Sequence, residues 1–196
     1  SISIVMKKII YLFFLIIFSL IVFVIIYLST IGVETSKFNN IIINEIKKKD
    51  PNIKLSLDKL NIKFDIKKIQ IYLSTYEPKI IYQGVKIPIN EINIYSKISS
   101  ILKSKNEINH AIVSLQNFNI EDIKKLAVRI KPSNFKTYLL NNLNNGKIEK
   151  ILIDVKLDKN LNITDYKVHG SLKKINVKIF NDLLIQDINL NFISDK

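Results

Sequence analysis

Apolar positions fall into two regimes along this chain, one continuous and one alternating. From Ile9 to Ile31 no charged residue interrupts the run, and the only aliphatic hydroxyls are Ser19, Ser29 and Thr30. At about 1.5 Å per helical residue the run reaches ~34 Å, enough to cross ~30 Å of hydrocarbon with some tilt. Ile9, Tyr11, Phe14, Phe18, Phe23, Tyr27 and Ile31 are its expected lipid-facing residues, with Tyr11 and Tyr27 near the two interfaces where amphipathic rings settle. A secretory signal has a shorter apolar stretch of ~7–15 residues and small residues at its cleavage site. This run is longer and lacks Ala, so a retained transmembrane helix over 9–31 is expected, behind a short cytoplasmic terminus over 1–8. Lys7 and Lys8 favour keeping that terminus inside.

A period near four follows the anchor. Phe38, Ile42 and Ile46 fall on one face of an amphipathic helix within 33–50, with Ser36 or Thr35 available as its cap and Asp50-Pro51 as its stop. This helix either lies on the bilayer or plugs one end of a sheet. From Ile53 the period becomes two: Ile53, Leu55 and Leu57, then Leu60, Ile62, Phe64 and Ile66, then Ile69, Ile71 and Leu73. The apolar phase flips near Lys59 and again near Lys68, so each flip marks a turn or bulge. Shorter strands are expected at Lys79–Tyr82, Val85–Ile89 and Glu91–Ser96. A helical turn near Ser99–Lys103 precedes one or two strands over Glu107–Asn119.

The middle, 121–146, reads as a helical pair. Ile123, Ala127 and Ile130 share one face of the first helix, and Lys131-Pro132-Ser133 breaks it. Ser133 is placed to cap the second helix, with Phe135, Leu139 and Leu143 on its apolar face and Asn144-Asn145-Gly146 as its end. Four alternating segments close the chain at Lys147–Leu157, Leu161–Leu172, Ile175–Phe180 and Leu183–Phe192, with Asp158–Asn160 and Asn181-Asp182 as hairpin connections. Strands buried on both faces would read as continuous apolar runs. The alternation therefore predicts an α+β fold dominated by antiparallel strands with one apolar side, in two sections over 51–120 and 147–196.

Composition changes this picture little. The chain has 41 Ile, 29 Lys and 22 Asn against one Arg and two Ala, the bias of an A/T-rich genome, so the net charge of +13 is no direct measure of selected basicity. The Lys residues are interleaved with Asp and Glu, and only Lys47-Lys48-Lys49 forms a run. Nucleic-acid readers use Arg forks and clustered aromatics, so no nucleic-acid partner is expected. The sole Met, Met6, is the expected translation start, and the alternating segment that nearly reaches the C-terminus suggests continuation past Lys196.

No catalytic constellation is legible. His110 and His169 have no metal-ligand partner at helical or hairpin spacing, and the glycines are isolated. Asp154 and Asp158 alternate on a polar strand face where solvated charge is the default. The chain is thus expected to be no enzyme and to need no cofactor.

The order of features resembles the N-terminal section of AsmA-like, TamB-type envelope proteins, a group of bridge-like lipid transfer proteins. It runs from Lys7-Lys8, the anchor and the helix over 36–49 to the paired strands of Ile53–Leu73. It continues through Pro78–Tyr82, Val85–Ile89, Ile92–Tyr95 with Ser99–Leu102, and Ile108–Val113 with Phe118–Ile120. The helical insertion over 121–145 departs from a plain strand array. The resemblance implies a curled, groove-like antiparallel sheet whose concave apolar side carries phospholipid or another acyl lipid. It further implies a single-pass protein of the bacterial inner membrane, its bulk in the periplasm, contributing to lipid transport or outer-membrane assembly. Ile151, Ile153, Val155, Leu157, Ile175, Val177, Ile179, Ile188, Leu190 and Phe192 are the candidate lipid-contacting residues, and envelope proteins are possible partners. Two other functions suit the same pattern. One is a single-pass component of lipopolysaccharide export, and the other is an envelope scaffold that captures partners by strand addition at an open sheet edge.

Overall fold

A computed structural model describes residues 2–97, 108–129, 134–160, 162–179 and 183–195. The chain opens with α1 (Ile2–Thr30), which is apolar on every side because its sequence offers no polar stripe to turn towards water. Its segment Val5–Thr30 is long and apolar enough to cross a membrane, and its most apolar stretch is not buried, as fits a membrane anchor or a signal sequence. Ile9, Tyr11, Phe14, Phe18, Phe23 and Tyr27 are exposed around α1, and Ile31 is exposed just past its end. The helix stops where Gly32 takes a left-handed φ of 80° and its N–H joins that of Ile31 in donating to Tyr27 O.

β1 (Val33–Thr35) and α2 (Asn39–Lys49) come next. The expected cap at Ser36 or Thr35 is not used. Thr35 lies in a strand and its hydroxyl accepts the Lys37 N–H at 3.2 Å, so this local bond holds the chain out of helix until Phe38, which has no side-chain cap. β2 (Ile53–Ser56), β3 (Leu60–Asp65), β4 (Gln70–Tyr76), β5 (Lys79–Tyr82), β6 (Val85–Ile87), β7 (Ile89–Lys97) and β8 (Ile108–Asn119) follow. Then come α3 (Ile120–Val128), α4 (Asn134–Asn142), β9 (Leu143–Asn144), β10 (Lys147–Leu157), β11 (Ile163–Ile179) and β12 (Leu183–Asp195). The expected turn at Ser99–Lys103, the Ser133 cap, the side chains of Phe135 and Leu139, and the Asn181-Asp182 connection lie outside the described residues.

Eight strands pair antiparallel in the order β1-β3-β4-β7-β8-β10-β11-β12, and β9 adds to β11. β2, β5 and β6 form a separate small sheet. Both phase flips have a structural counterpart. At Lys59 the chain leaves the small sheet for the large one, and the Lys68 flip is the β3–β4 hairpin, where Ile69 has φ 52°. The two strand-rich sections join across the β8–β10 pairing into one sheet with two unpaired ends, β1 and β12, so it is open.

Two expectations in the second half are corrected. The segments expected over Leu161–Leu172 and Ile175–Phe180 form, within the described residues Ile163–Ile179, one strand, β11, because an irregularity at Lys173-Lys174 inserts one extra residue and returns Leu172 and Ile175 to the same face. The second helix ends at Asn142, and Leu143 pairs with Val177 as strand instead of continuing the helical face, which lets its side chain pack on the core. That core is Leu115, Phe118, Ile120, Ile148, Ile175 and Val177, closed over by Ile123 and Leu126 of α3.

Candidate functional site

Residues paired across an antiparallel ladder project to the same side of a sheet. Following the pairs from the anchor edge gives a row of Val33, Ile62, Leu73, Ile94, Ala111, Val155 and Tyr166 across seven strands. One step along the strands lies Ile92, Val113, Ile153 and Val168. The next rows are Ile89, Leu115, Ile151, Gly170 and Phe192, then Phe118, Ile148, Leu172 and Leu190. Ile175 opposite Ile188, Val177 opposite Ile185, and Ile179 opposite Leu183 complete the surface. Bulges at the Ile148/Lys150, Leu172/Ile175 and Ile175/Val177 steps keep the apolar side chains in phase over strands too long for strict alternation.

All ten candidate lipid-contacting residues lie on this side, but they are not equivalent. Ile175 and Val177 keep only 1% and 8% of their surface and belong to the closed core, so they are packed against protein. Ile151, Ile153, Ile179 and Ile188 pack at the margin of that core. Val155, Leu157 and Phe192 are half-buried, and Leu190 is 49% exposed. Helical cover is concentrated at one end of the strands, with α3 on β8 and β6 and α4 on β9 and β11. Val33 at one edge of the sheet and Leu183 and Ile185 at the other are exposed. The part contributed by β1, β3, β4 and β7 was missed from sequence, because no single strand reveals which neighbour it pairs with.

The opposite side mirrors the first row with Lys63, Tyr72, Tyr95, His110, Lys156 and Asp165. Tyr72 stacks on Tyr95 with centroids 4.9 Å apart, Tyr95 meets the His110 ring at 4.9 Å, and Lys68 Nζ sits 4.7 Å over the Tyr95 ring. His110 Nε2 lies 2.5 Å from Asp154 Oδ1. Burial first, then the charge of neighbouring Tyr72 and acidic groups, pushes the Tyr95 phenol up to about 12, and burial raises Tyr72 as well. Lys156 donates to Asp165 at 2.7 Å, which raises its pKa. Asp158 is a turn residue: its Oδ1 accepts the backbone N–H groups of Asn160 and Asn162, and the Asn162 contacts lead in lowering its pKa. His169 projects from the same polar side, opposite Leu152 and Ile193. Among the described residues no group of three or more His, Asp or Glu side chains could hold a metal ion.

Together these features define an open antiparallel sheet with one apolar and one polar side, carried behind an apolar N-terminal helix. No family model matches the chain, and neither does any curated protein or solved structure.

Proposed function

We propose that this is a membrane-anchored envelope protein of AsmA-like type. In this reading α1 is a single-pass anchor in a bacterial inner membrane, and the bulk of the chain lies in the periplasm. The large sheet curls into a groove that shelters acyl chains of phospholipid in transit, or during outer-membrane assembly. The observation that carries the reading is the unbroken apolar row from Val33, directly after the anchor, to Tyr166 on β11. Each CH₂ kept from water on such a surface is worth ~0.8 kcal/mol, so a few side chains can hold a lipid tail while its headgroup stays hydrated. No bond is made or broken, and no cofactor is needed. Ile175 and Val177 act as the packed floor at the α3 end, which leaves Val155, Leu157, Leu190 and Phe192 as the lipid-touching members.

Site-specific photocrosslinking in cells tests this at Val155, with Lys156 on the polar side as control. Lipid adducts at Val155 and none at Lys156 support the groove. Protein adducts alone, or none at either position, refute it.

A partner-binding scaffold is the second reading, and β12 favours it. This free edge carries exposed Leu183, Leu184, Ile185, Leu190 and Ile193 and no Lys or Pro, and the bulge at Asp187 divides it into two stretches open to a further strand. It expects protein adducts along β12 and no bound lipid. Lipopolysaccharide export, the third candidate, differs from the first in the lipid recovered at Val155.

A further inference from the structure

α2 uses only part of its surface to hold the fold. Asn39 is buried, and its Nδ2 donates to Leu57 O at 3.1 Å and Asp58 O at 2.9 Å, pinning the first turn to the connection between the two sheets. Ile42, Ile43 and Ile46 are half-buried, and α2 packs on β2. The expectation that this helix plugs the sheet thus describes one side of it.

The other side carries exposed Asn40, Asn44, Glu45 and Lys48 with one exposed aliphatic residue, Ile41, among them. Ile41 is 60% exposed and Phe38, at the cap, is 41% exposed. Lys47, Lys48 and Lys49 occupy the last turn. Among the nearby acids, Glu45 pairs with Lys48 and Glu34 with Lys59, each at 2.7 Å, and Asp50 Oδ1 accepts from Asn52. Lys37, Lys47 and Lys49 form no ion pair among the described residues. Lysines in a last turn also suit the helix dipole. That local role explains the charge, but it leaves the exposed Phe38 and Ile41 without a reason. An anionic bilayer surface explains both, since it takes apolar side chains into its acyl boundary and lysines into its headgroups. Only Ile31, Gly32, the short strand β1 and a tight turn separate α2 from the end of α1, so such a surface is within reach.

We propose that α2 is an interfacial helix. It inserts Ile41 and Phe38 below the headgroups of an anionic phospholipid bilayer and sets Lys37, Lys47 and Lys49 among the phosphates. This rests on the reading of α1 as a retained membrane anchor. The docked helix would hold the β1 edge of the large sheet against the membrane, where an acyl chain would first meet Val33.

The chain contains no Trp, so single-Trp variants of the full chain in vesicles give a clean probe. Phe18→Trp, Ile41→Trp and Ile193→Trp are compared in vesicles containing phosphatidylglycerol and brominated phosphatidylcholine. Quenching several-fold stronger at Phe18→Trp and Ile41→Trp than at Ile193→Trp is the expected result. Adding Lys37→Gln, Lys47→Gln and Lys49→Gln should weaken quenching at Ile41→Trp and leave Phe18→Trp unchanged. Quenching at Phe18→Trp without quenching at Ile41→Trp overturns the interfacial helix and leaves the anchor standing. Absence of quenching at Phe18→Trp overturns the anchor reading, and this proposal with it. Equal quenching of Ile41→Trp in purely zwitterionic vesicles overturns the role of the lysines.

Discussion

The Phe192 ring lies across Gly170, its register partner on the neighbouring strand, so closely that a Cβ at position 170 would sit 2.2 Å from Cζ and 2.3 Å from Cε1. A glycine inside a strand ordinarily weakens it, for want of a side chain to pack. Here the aromatic ring fills that space and covers the backbone, a pairing that sheets use to recover the loss. Gly170→Ala should push aside only the tip of the half-buried ring, so its cost should stay within about 1 kcal/mol. Adding Phe192→Leu makes room for the new methyl, so the double variant should be more stable than the sum of the single effects implies. Thermal unfolding in detergent decides it, and strictly additive shifts would contradict the contact.

Ile175 and Leu190 share the apolar side of the sheet but should answer truncation differently. Ile175 is fully enclosed by the core under α3, so Ile175→Ala should cost about 2–5 kcal/mol. Leu190 is half in solvent on the free edge strand, so Leu190→Ala should cost less than about 1 kcal/mol. If the apolar side is a lipid path, Leu190→Ala should instead lower the yield of lipid adducts at Val155. A large stability loss at Leu190 would indicate that the closed core extends past Ile188 to Leu190.

Alkaline titration offers a separate check on the polar side. Tyr95 is pushed up to about 12 from its ordinary value of 10, chiefly by burial, so the folded state favours the neutral phenol. A raised folded pKa gives stability that is fully present below pH 10 and is lost as pH rises through about 12. Tyrosinate absorbance should therefore show a late step belonging to Tyr95, coincident with loss of structure. Tyr95→Phe should remove that step and flatten the alkaline decline. A Tyr95 that ionises near pH 10 with the sheet intact would refute the packed stack of Tyr72, Tyr95 and His110.

Periodicity made most of the strands readable. β10 matches the alternating segment Lys147–Leu157, where Ile151, Ile153, Val155 and Leu157 recur every second residue, and β5 matches Lys79–Tyr82, because each lies between clear turn residues. β1 escaped because three residues, Val33–Thr35, are too few to show a period beside an apolar run. The break placed after Leu172 became a bulge because a phase shift looks the same in sequence whether the chain turns back or steps over an extra residue. The candidate site was half legible. Alternation identified the apolar positions of β10, β11 and β12, yet gave no means to separate Ile175 from Leu190, since the covering helix α3 is set by tertiary packing. The stack of Tyr72, Tyr95 and His110 depends on register between three strands, and none of those strands carries it alone.

The junction between anchor and sheet rests on Gly32, and there two effects of substitution can be told apart. Its φ of 80° disfavours any side chain, and a Cβ would also lie 2.9 Å from Ile62 O and 2.8 Å from Lys63 Cγ. If φ strain alone mattered, Gly32→Asn would be milder than Gly32→Ala, because Asn tolerates the left-handed region. The close approach to a backbone carbonyl on β3 is indifferent to that preference, since any Cβ meets the same oxygen. Gly32→Ala and Gly32→Asn should therefore both be damaging, each costing about 1–3 kcal/mol and loosening the α1–β3 contact, with Asn milder only by the φ strain it avoids. The loosening is read as faster hydrogen exchange and protease cleavage over residues 33–38, with the strands β10 and β11 still protected. Near-normal protection in Gly32→Asn beside a damaged Gly32→Ala would show that the anchor is not seated on β3. The row beginning at Val33 would then lose its fixed position next to the membrane.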